Sequence, residues 1–548
     1  MLDTAAILFL VSVGLIYAIY VIMWLCWYIW KDKAGIVTMD TEDVLFFGGS
    51  KYIRNVFFLG VAMSQLFSPC MINEQLTNSS LQFVVHLVAR ILAYGVCVPF
   101  FNHLAKLRFR NMEDFLEKRF DSRFLVWFHL VTRIAGVYYL WDSYLYVYES
   151  FRLFNINSSI EFVYFLTGFA TLSALGGMNV ILFGCALLWI AEWPGMFLLF
   201  FNASPYMIKN ASLFSFAPDP CKTLYGPNYF LNVLSQLLAV QPMYTLFQAA
   251  NNLRQSNIAM GIGFILLLLS TTMYGFCANG LLQFANTEKL HLRDSIHGLY
   301  KLTFSNSDMF IYQTDQQAQI NYVHSGATVT FPHFLILFGT CVCNAIAFFL
   351  LQIQNISMHT YLHMLPNWLR FGLVSDGREL HMTFSSLYLI SAYLTIVLLI
   401  YGSASQVPED ISANQYLLFQ PHVSNLTLMP TLCMIILSPI IPEVWSAPVI
   451  AVSAISVFVG LVFSGHSSVN GVETCIKRWL PSGTFFLSMM FIPIISMIIK
   501  APGVLPNSLL FKYHLRWRKK PDKSHALSIL NDKRVTRAGT ASLRIGSP

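Results

Sequence analysis

Two apolar stretches of this sequence carry neutral polar residues beside a proline. The five residues best placed to bind a ligand there are Ser64, Gln65, Ser68, Gln241 and Tyr244. Their hydroxyl and amide groups donate and accept hydrogen bonds, but they are not arranged as a nucleophile with its base. They therefore indicate reversible binding of a small polar molecule. The alternative is hydrogen bonding between helices, worth about 1 kcal/mol per bond or less.

Catalytic chemistry has no comparable support. The sequence contains no GxSxG, HExxH, Walker or DxD motif, and its ten cysteines include no CxxC pair. We expect neither an enzyme nor a bound cofactor. A channel is also disfavoured, because no repeated pore segment or ring of charges occurs.

The composition indicates which elements position the five residues. Of the 548 residues, 56% are hydrophobic and only 11% are charged, with a mean hydropathy of +0.57. A soluble protein is about a quarter charged, so this chain cannot cover a water-facing surface. The fold class predicted is an all-α polytopic membrane protein.

An apolar stretch of about 20 residues crosses a bilayer, and about 13 transmembrane helices are predicted on this basis. They span Ala5–Trp30, Val56–Met71, Leu81–Phe101, Phe124–Tyr148, Phe162–Leu175, Val180–Phe201, Tyr229–Ala250, Ile258–Ala285, Val329–Gln354, Met382–Gly402, Leu428–Trp445, Pro448–Gly465 and Thr484–Ile499.

Charge and sequons suggest the orientation. With the N-terminus extracellular, 23 of the 34 Lys and Arg residues fall on the cytoplasmic side, as the positive-inside rule requires. Glycosylation sequons at Asn157, Asn202, Asn210 and Asn425 fall on the opposite side. A multi-pass plasma-membrane protein is predicted, although an internal membrane is equally compatible with this topology.

The net charge of +7 comes from the cytoplasmic tail, which holds ten Lys and Arg against two Asp from Lys512 onwards. No basic face or nucleic-acid-binding pattern accompanies it, so anionic membrane lipid is the expected partner and nucleic acid is not.

Five regions are predicted: an extra transmembrane helix at 1–30, the first repeat and start of the second at 48–285, an extracellular loop at 286–328, the remaining helices at 329–499, and the basic tail at 500–548. The two proline-broken spans are the second and the seventh. That separation is expected of a five-plus-five inverted repeat with a binding site near the membrane midplane. Two proline kinks in a bundle are an equally good explanation.

Ionisable groups inside the spans are expensive, so each one is a candidate for function. The spans contain six of them, namely His86, Arg90, His129, Arg133, Asp142 and Glu192. Structural pairing between helices is the more common role for such groups.

Several motifs resemble the sodium:solute symporter family. The run NMEDFLEKRF at Asn111–Phe120 is similar to its S/T-x-x-E-Y-L-E-x-R-F signature, and GGSKYI at Gly48–Ile53 resembles its GGR-type entry. TLSALGG at Thr171–Gly177 resembles T-x-Y-x-x-x-G-G. FAPDP at Phe216–Pro220 is similar to the D-P-D-P of the monocarboxylate and multivitamin branch.

The resemblance implies the inverted-repeat transporter fold and sodium-driven uptake of a small monocarboxylate or vitamin-like anion. It also implies a sodium site built from Ser and Thr in the ninth span, but Phe348, Phe349 and Leu351 stand at those positions. Aromatic and aliphatic side chains cannot replace oxygen ligands. The family aspartate aligns with Gly184 or Cys185.

Two functions are consistent with retained scaffold motifs and lost ion ligands. One is secondary active transport of a small organic solute. Sodium is the only coupling ion that the resemblance implies, and the lost ligands leave its role open. The alternative is a non-transporting membrane receptor or interaction protein. Transport is favoured, because polar residues persist in both broken spans.

Overall fold

The part of the chain described by the computed structural model is helical except for a few residues at the ends of helices. It comprises residues 4–33, 56–66, 80–106, 122–153, 159–209, 225–238, 242–250, 252–287, 331–361, 390–398, 483 and 486. Within these ranges no strand occurs, which confirms the all-α prediction for them.

Ten α-helices and one π-helical segment make up the main bundle. In chain order they are α1 Thr4–Lys33, α2 Val56–Ser64, α3 Ser80–Lys106, α4 Ser122–Leu153, α5 Ser159–Lys209, α6 Tyr225–Leu238, α7 Pro242–Ala249, α8 Leu253–Thr287, α9 Phe331–Leu337, the π segment Phe338–Cys343 and α10 Asn344–His359. Residues 390–398 are also helical.

Five of the described helices are long and apolar enough to cross a membrane, namely Thr4–Trp27, Leu87–Lys106, Leu175–Asn202, Leu253–Cys277 and Phe334–His359. Helices suit that environment because they satisfy their own backbone hydrogen bonds. Large apolar side chains also remain on the outside of the bundle, such as Leu8, Met23 and Ile265. Exposed apolar surface of this kind is expected to face lipid.

The predicted fifth and sixth spans together make up α5, which consists of two helices that meet at a kink. The kink is at Gly177, whose φ of 65° lies in the left-handed region that favours glycine. The kink falls between the predicted ends at Leu175 and Val180, so the two spans were correctly separated in sequence although no loop divides them.

The predicted seventh span is broken. Helix α6 ends at Leu238 and α7 begins at Pro242, where proline fits the first turn of a helix. The second span is likewise short: α2 ends at Ser64, with Gln65 in a turn after it. Both predicted interruptions therefore occur.

The predicted ninth span ends too early, at Gln354, whereas α10 continues to His359. Its last turn contains the polar residues Ser357 and His359, and the apolar stretch of the sequence ends before them. Both side chains are buried inside the protein, so they do not face lipid.

The core lies around α5 and α10. Helix α5 contacts α1, α2, α4, α8, α9, α10 and the π segment. Helix α1 packs on α5 through the stacked rings of Tyr17 with Phe169 and of Tyr20 with Phe183. Every residue from Asn344 to His359 is buried.

Part of the predicted organisation lies outside the described residues. This includes the eleventh and twelfth spans, the predicted loop at 286–328 from residue 288 onwards, the basic tail, and the sequons at Asn157, Asn210 and Asn425. The count of thirteen, the repeat symmetry and the orientation stay predictions. Asn202 is exposed and lies at the end of a candidate membrane span.

Candidate functional site

Two of the predicted ligand-binding residues lie where α2 ends. Ser64 is buried, and its hydroxyl donates to the carbonyl of Val61 at 2.7 Å, within its own helix. Gln65 is 1% exposed. Among the described residues, neither its side-chain nitrogen nor its oxygen has a hydrogen-bond partner. Ser68 lies outside the described residues.

The seventh predicted span contributes α7. Tyr244 is buried against the ring of Phe101, with centroids 5.3 Å apart, and its hydroxyl accepts a hydrogen bond from Gln248 Nε2 at 2.6 Å. The hydroxyl of Thr245 donates to Asn355 Oδ1 at 3.1 Å. Gln241 lies outside the described residues, directly before α7.

Helix α7 joins the two polar regions. It contacts both α2 and α10, and the bond between Thr245 and Asn355 is a polar link to α10. His359 Nε2 lies 3.1 Å from the same Asn355 oxygen. The end of α2, α7 and α10 therefore form one connected part of the bundle.

The three predicted replacements of sodium ligands are all on α10, and all are core residues. Phe349 and Leu351 belong to the main hydrophobic core. Phe348 packs edge-on against Tyr139 of α4, with ring centroids 6.5 Å apart, and against Ala135. These side chains supply packing contacts and no oxygen atoms.

The same helix carries amides that the sequence analysis did not select. Gln352 and Gln354 are 0% and 1% exposed, and no described residue hydrogen-bonds to the nitrogen or oxygen of either side chain. The buried hydroxyl of Ser357 also lacks a partner in this part of the structure. We call Gln65, Gln352 and Gln354 the unpartnered amides.

Burying an amide without a partner costs about 1–3 kcal/mol per group. Interior polar groups are nearly always paired with protein or water, so several unpaired ones in one region call for an explanation. Hydrogen bonding between helices was the alternative role for Gln65, and the described residues do not show it. A ligand or water that supplies hydrogen bonds would satisfy these groups.

Helical spacing divides the polar residues of α10 between two faces. Gln352, Asn355 and His359 are three and four residues apart and share one face, which meets α7 at Asn355. Gln354 and Ser357 are also three apart, and they lie on the other side of the helix. The face with Gln352 is the one that adjoins α7.

The arrangement offers groups that can bind a small polar molecule. Within the described ranges, no group of three His, Cys, Asp or Glu residues could hold a metal ion. Apart from His359, the polar side chains in this region are amides and hydroxyls, which donate and accept hydrogen bonds without carrying charge.

Sequence reasoning missed Gln352, Gln354 and the pair Thr245–Asn355. The signal was present as the run QIQN within an otherwise apolar helix. The resemblance aligns this run with a Ser/Thr pattern, which draws attention to the missing hydroxyl oxygens and away from the amides that are present.

The ionisable residues of the spans have structural partners where they can be described. Arg90 is 2% exposed, and its Nη1 donates to Thr271 Oγ1 at 2.5 Å, linking α3 to α8. Arg133 is buried, and its Nη1 donates to the neighbouring Thr132 at 3.4 Å. The side chains of His86 and Asp142 lie outside the described residues.

No protein-family model matches the sequence, and no curated protein matches it. Among solved structures, the chain is similar to a sodium-coupled sialic acid symporter in a substrate-bound, outward-open state, with a TM-score of 0.57 and 12% identity over 89% of this chain and 98% of that one. MhsT in complex with L-phenylalanine gives 12% identity over 82% and 98%, but its TM-score of 0.35 is too low to indicate a shared fold. The chain therefore has the fold of a sodium-coupled symporter, a multi-pass membrane architecture.

Proposed function

We propose that this protein is a secondary active transporter of a small organic solute, bound between the end of α2, α7 and α10. The observation that carries the proposal is the pair of unpartnered amides at this place, Gln65 and Gln352. Both are at most 1% exposed, and in the part of the chain that the structure describes they hydrogen-bond to nothing, whereas Gln354 lies on the opposite face of α10. A bound solute would supply the missing bonds and offset part of their desolvation cost.

The solute we propose is a monocarboxylate or vitamin-like anion. Its carboxylate oxygens accept hydrogen bonds, and amide nitrogens such as those of Gln65 and Gln352 donate them. The protein holds the anion by hydrogen bonds rather than by an ion pair, since no arginine or lysine occurs on the described parts of α2, α7 or α10. The resemblance of FAPDP to the outer motif of the monocarboxylate and multivitamin branch supports the same class.

The five-plus-five inverted repeat, thirteen spans and an extracellular N-terminus belong to this proposal. So do a plasma-membrane location and contact of the basic tail with anionic lipid. Sodium is the coupling ion of the similar symporter. In this chain Phe348, Phe349 and Leu351 pack into the core, which argues against an oxygen-rich sodium site at those positions.

The test is uptake by the purified full-length protein in liposomes, with a panel of labelled monocarboxylates and vitamin-like acids in sodium chloride and in choline chloride. At least one solute should accumulate above protein-free liposomes. Gln352→Met should lower its uptake about tenfold, because one hydrogen bond worth about 1.4 kcal/mol is lost.

Gln241→Leu should also lower uptake at equal amounts of folded protein, whereas Asp522→Asn in the basic tail is the control that leaves it unchanged. If folded wild-type protein moves no member of the panel in either salt, the proposal fails. A non-transporting receptor on the same scaffold then becomes the better explanation.

A further inference from the structure

A second polar cluster lies in the bundle interior, away from the unpartnered amides. It consists of Glu192 of α5, Tyr274 of α8 and Thr340 of the π segment. Glu192 is 4% exposed and Tyr274 is 1% exposed. Within the five candidate membrane spans, Glu192 is the only acidic residue.

The backbones of α5 and the π segment approach closely beside this carboxyl group. A methyl group added at Gly195 would overlap the carbonyl oxygen of Leu335 and lie 3.1 Å from the Cα of Gly339. A methyl group at Gly339 would lie 2.7 Å from the carbonyl oxygen of Glu192 itself. The two glycines therefore allow a contact that holds Glu192 against the π segment. Such segments are rare and often occur at functional sites.

Among the described residues, no cation lies beside the carboxyl group. In the described part of the chain, no lysine, arginine or histidine forms an ion pair with Glu192. A charged carboxylate in a membrane interior is expensive unless a cation or a proton neutralises it. Among the described residues, the cluster adds two oxygen atoms to the carboxyl group, the Tyr274 hydroxyl and the Thr340 carbonyl, too few for the shell that a metal cation prefers.

The hydrogen bonds indicate whether a cation or a proton neutralises Glu192. The hydroxyl oxygen of Tyr274 lies 2.9 Å from the carbonyl oxygen of Thr340 and 3.3 Å from Glu192 Oε1. A tyrosine hydroxyl has one proton, and a carbonyl oxygen can only accept. If Glu192 were ionised, that one proton would have to serve both acceptors. If Glu192 is protonated, its carboxyl donates to Tyr274, and Tyr274 donates to Thr340.

We infer that Glu192 is a proton-binding site in the bundle interior, and that its proton is the ion coupled to the transport proposed above. The carboxylate takes up one proton from water on one side of the membrane and becomes neutral. It releases that proton on the other side when the packing of α5 against α8 and the π segment changes. One positive charge then crosses with each cycle, a role known for carboxyl groups in membrane transporters.

Other ionisable side chains on the elements around α5 do not contact Glu192. In the described residues they are Tyr17, Tyr20 and Cys26 of α1, His129, Arg133, Tyr138, Tyr139 and Tyr144 of α4, Arg254 and Cys277 of α8, Cys343 of the π segment, and His359 of α10. None of them is a hydrogen-bond or ion-pair partner of Glu192, and the described side chains of α2 and α9 are not ionisable. Among the described residues, Tyr274 is thus the titratable group that contacts Glu192.

Infrared spectroscopy of the purified full-length protein tests the proton directly, without a solute. At neutral pH in choline chloride, the wild type should show the carbonyl stretch of a protonated carboxyl group, which shifts in D₂O. Glu192→Gln, which is nearly isosteric, should lack this band, and Asp522→Asn should keep it. Tyr274→Phe should keep the band at a changed frequency, because its hydrogen-bond partner is lost.

Absence of the band in the wild type, or its persistence in Glu192→Gln, would overturn the proton site. Loss of the band on adding sodium chloride would also overturn it, because a sodium ion would then occupy the carboxylate. If Glu192→Gln does not fold, the frequency shift in Tyr274→Phe still decides the assignment.

Coupling is tested separately, with a pH dye inside liposomes and a solute identified by the uptake panel. Addition of that solute should drive proton entry with the wild type and not with Glu192→Gln. Uptake without proton entry in the wild type would leave the transport proposal standing and refute the coupling. The infrared band without any uptake would keep the proton site and refute transport.

Discussion

The two halves of the segment 331–361 use polar groups in opposite ways. In the first half, the π segment meets α5 at a glycine contact, and the polar groups of Glu192, Tyr274 and Thr340 bond to one another. In the second half, α10 buries Gln352 and Gln354, whose side chains find no partner among the described residues. The polar cluster at the first half needs only a proton to satisfy its hydrogen bonds, whereas the amides of the second half need partner molecules. This difference is why we assign the small ion to one half and the solute to the other.

The largest loss of stability should come from a substitution on the apolar face of α10. Phe348→Ser removes a fully buried ring from its contact with Tyr139, and we expect it to lower the free energy of unfolding by about 3–5 kcal/mol. The thermal midpoint in detergent measures this loss. The control, Phe201→Ser, alters a ring that is 66% exposed and should lower the midpoint far less. Equal losses would show that Phe348 is not a core residue.

The same variant also tests the ion site, because serine restores a hydroxyl oxygen at the position where the resemblance implies a sodium ligand. Midpoints in sodium chloride and in choline chloride should remain equal for Phe348→Ser alone, since Phe349 and Leu351 still supply no oxygen. A sodium-specific increase would mean that the remaining ligands of a sodium site are present.

The glycine contact of the first half predicts the next effect. Gly195→Ala forces a methyl group against the backbone at Leu335, which cannot move aside as a side chain can. We expect a loss of about 3 kcal/mol, or no folded protein. Gly261→Ala is the matched control, because no atom lies within 4 Å of the added methyl group. It should be neutral or stabilise by up to about 1 kcal/mol. A tolerated Gly195→Ala would contradict the close approach of α5 to the π segment.

The bond between α7 and α10 should give the smallest effect. Thr245→Val removes the donor to Asn355 and should cost about 1 kcal/mol or less, typical of one hydrogen bond between membrane helices. Thr272→Val is the comparison, because that hydroxyl donates at 2.6 Å to Leu268 of its own helix. If the two variants lower the thermal midpoint equally, the contact between α7 and α10 does not contribute to stability.

Much of the fold could be predicted from the sequence, because apolar length and proline positions are local signals. The breaks after Ser64 and before Pro242, and the division of α5 at Gly177, follow from such signals. The end of α10 does not, because burial of Ser357 and His359 depends on neighbouring helices.

The candidate site was only partly predictable. Gln65 and Tyr244 can be predicted as candidate ligand-binding residues because they are polar residues in spans broken by proline. Glu192 is recognisable in the sequence as an ionisable group, but the hydrogen bonds of Tyr274 to Glu192 and to Thr340 join residues 82 and 66 positions apart in the chain. Contacts at such separations arise from packing, and no local pattern contains them. Ser68 and Gln241 remain predictions.

The central claim is that the unpartnered amides bind a solute rather than hold helices together. The measurement that tests it most directly is the thermal midpoint of purified Gln352→Met and Gln65→Met beside the wild type, without added solute. Removing a buried, unpartnered amide should raise the midpoint by the equivalent of about 1–3 kcal/mol while reducing stabilisation by any solute that stabilises the wild type. A lower midpoint in both variants would contradict the account, because it would show that the amides stabilise the folded protein by themselves.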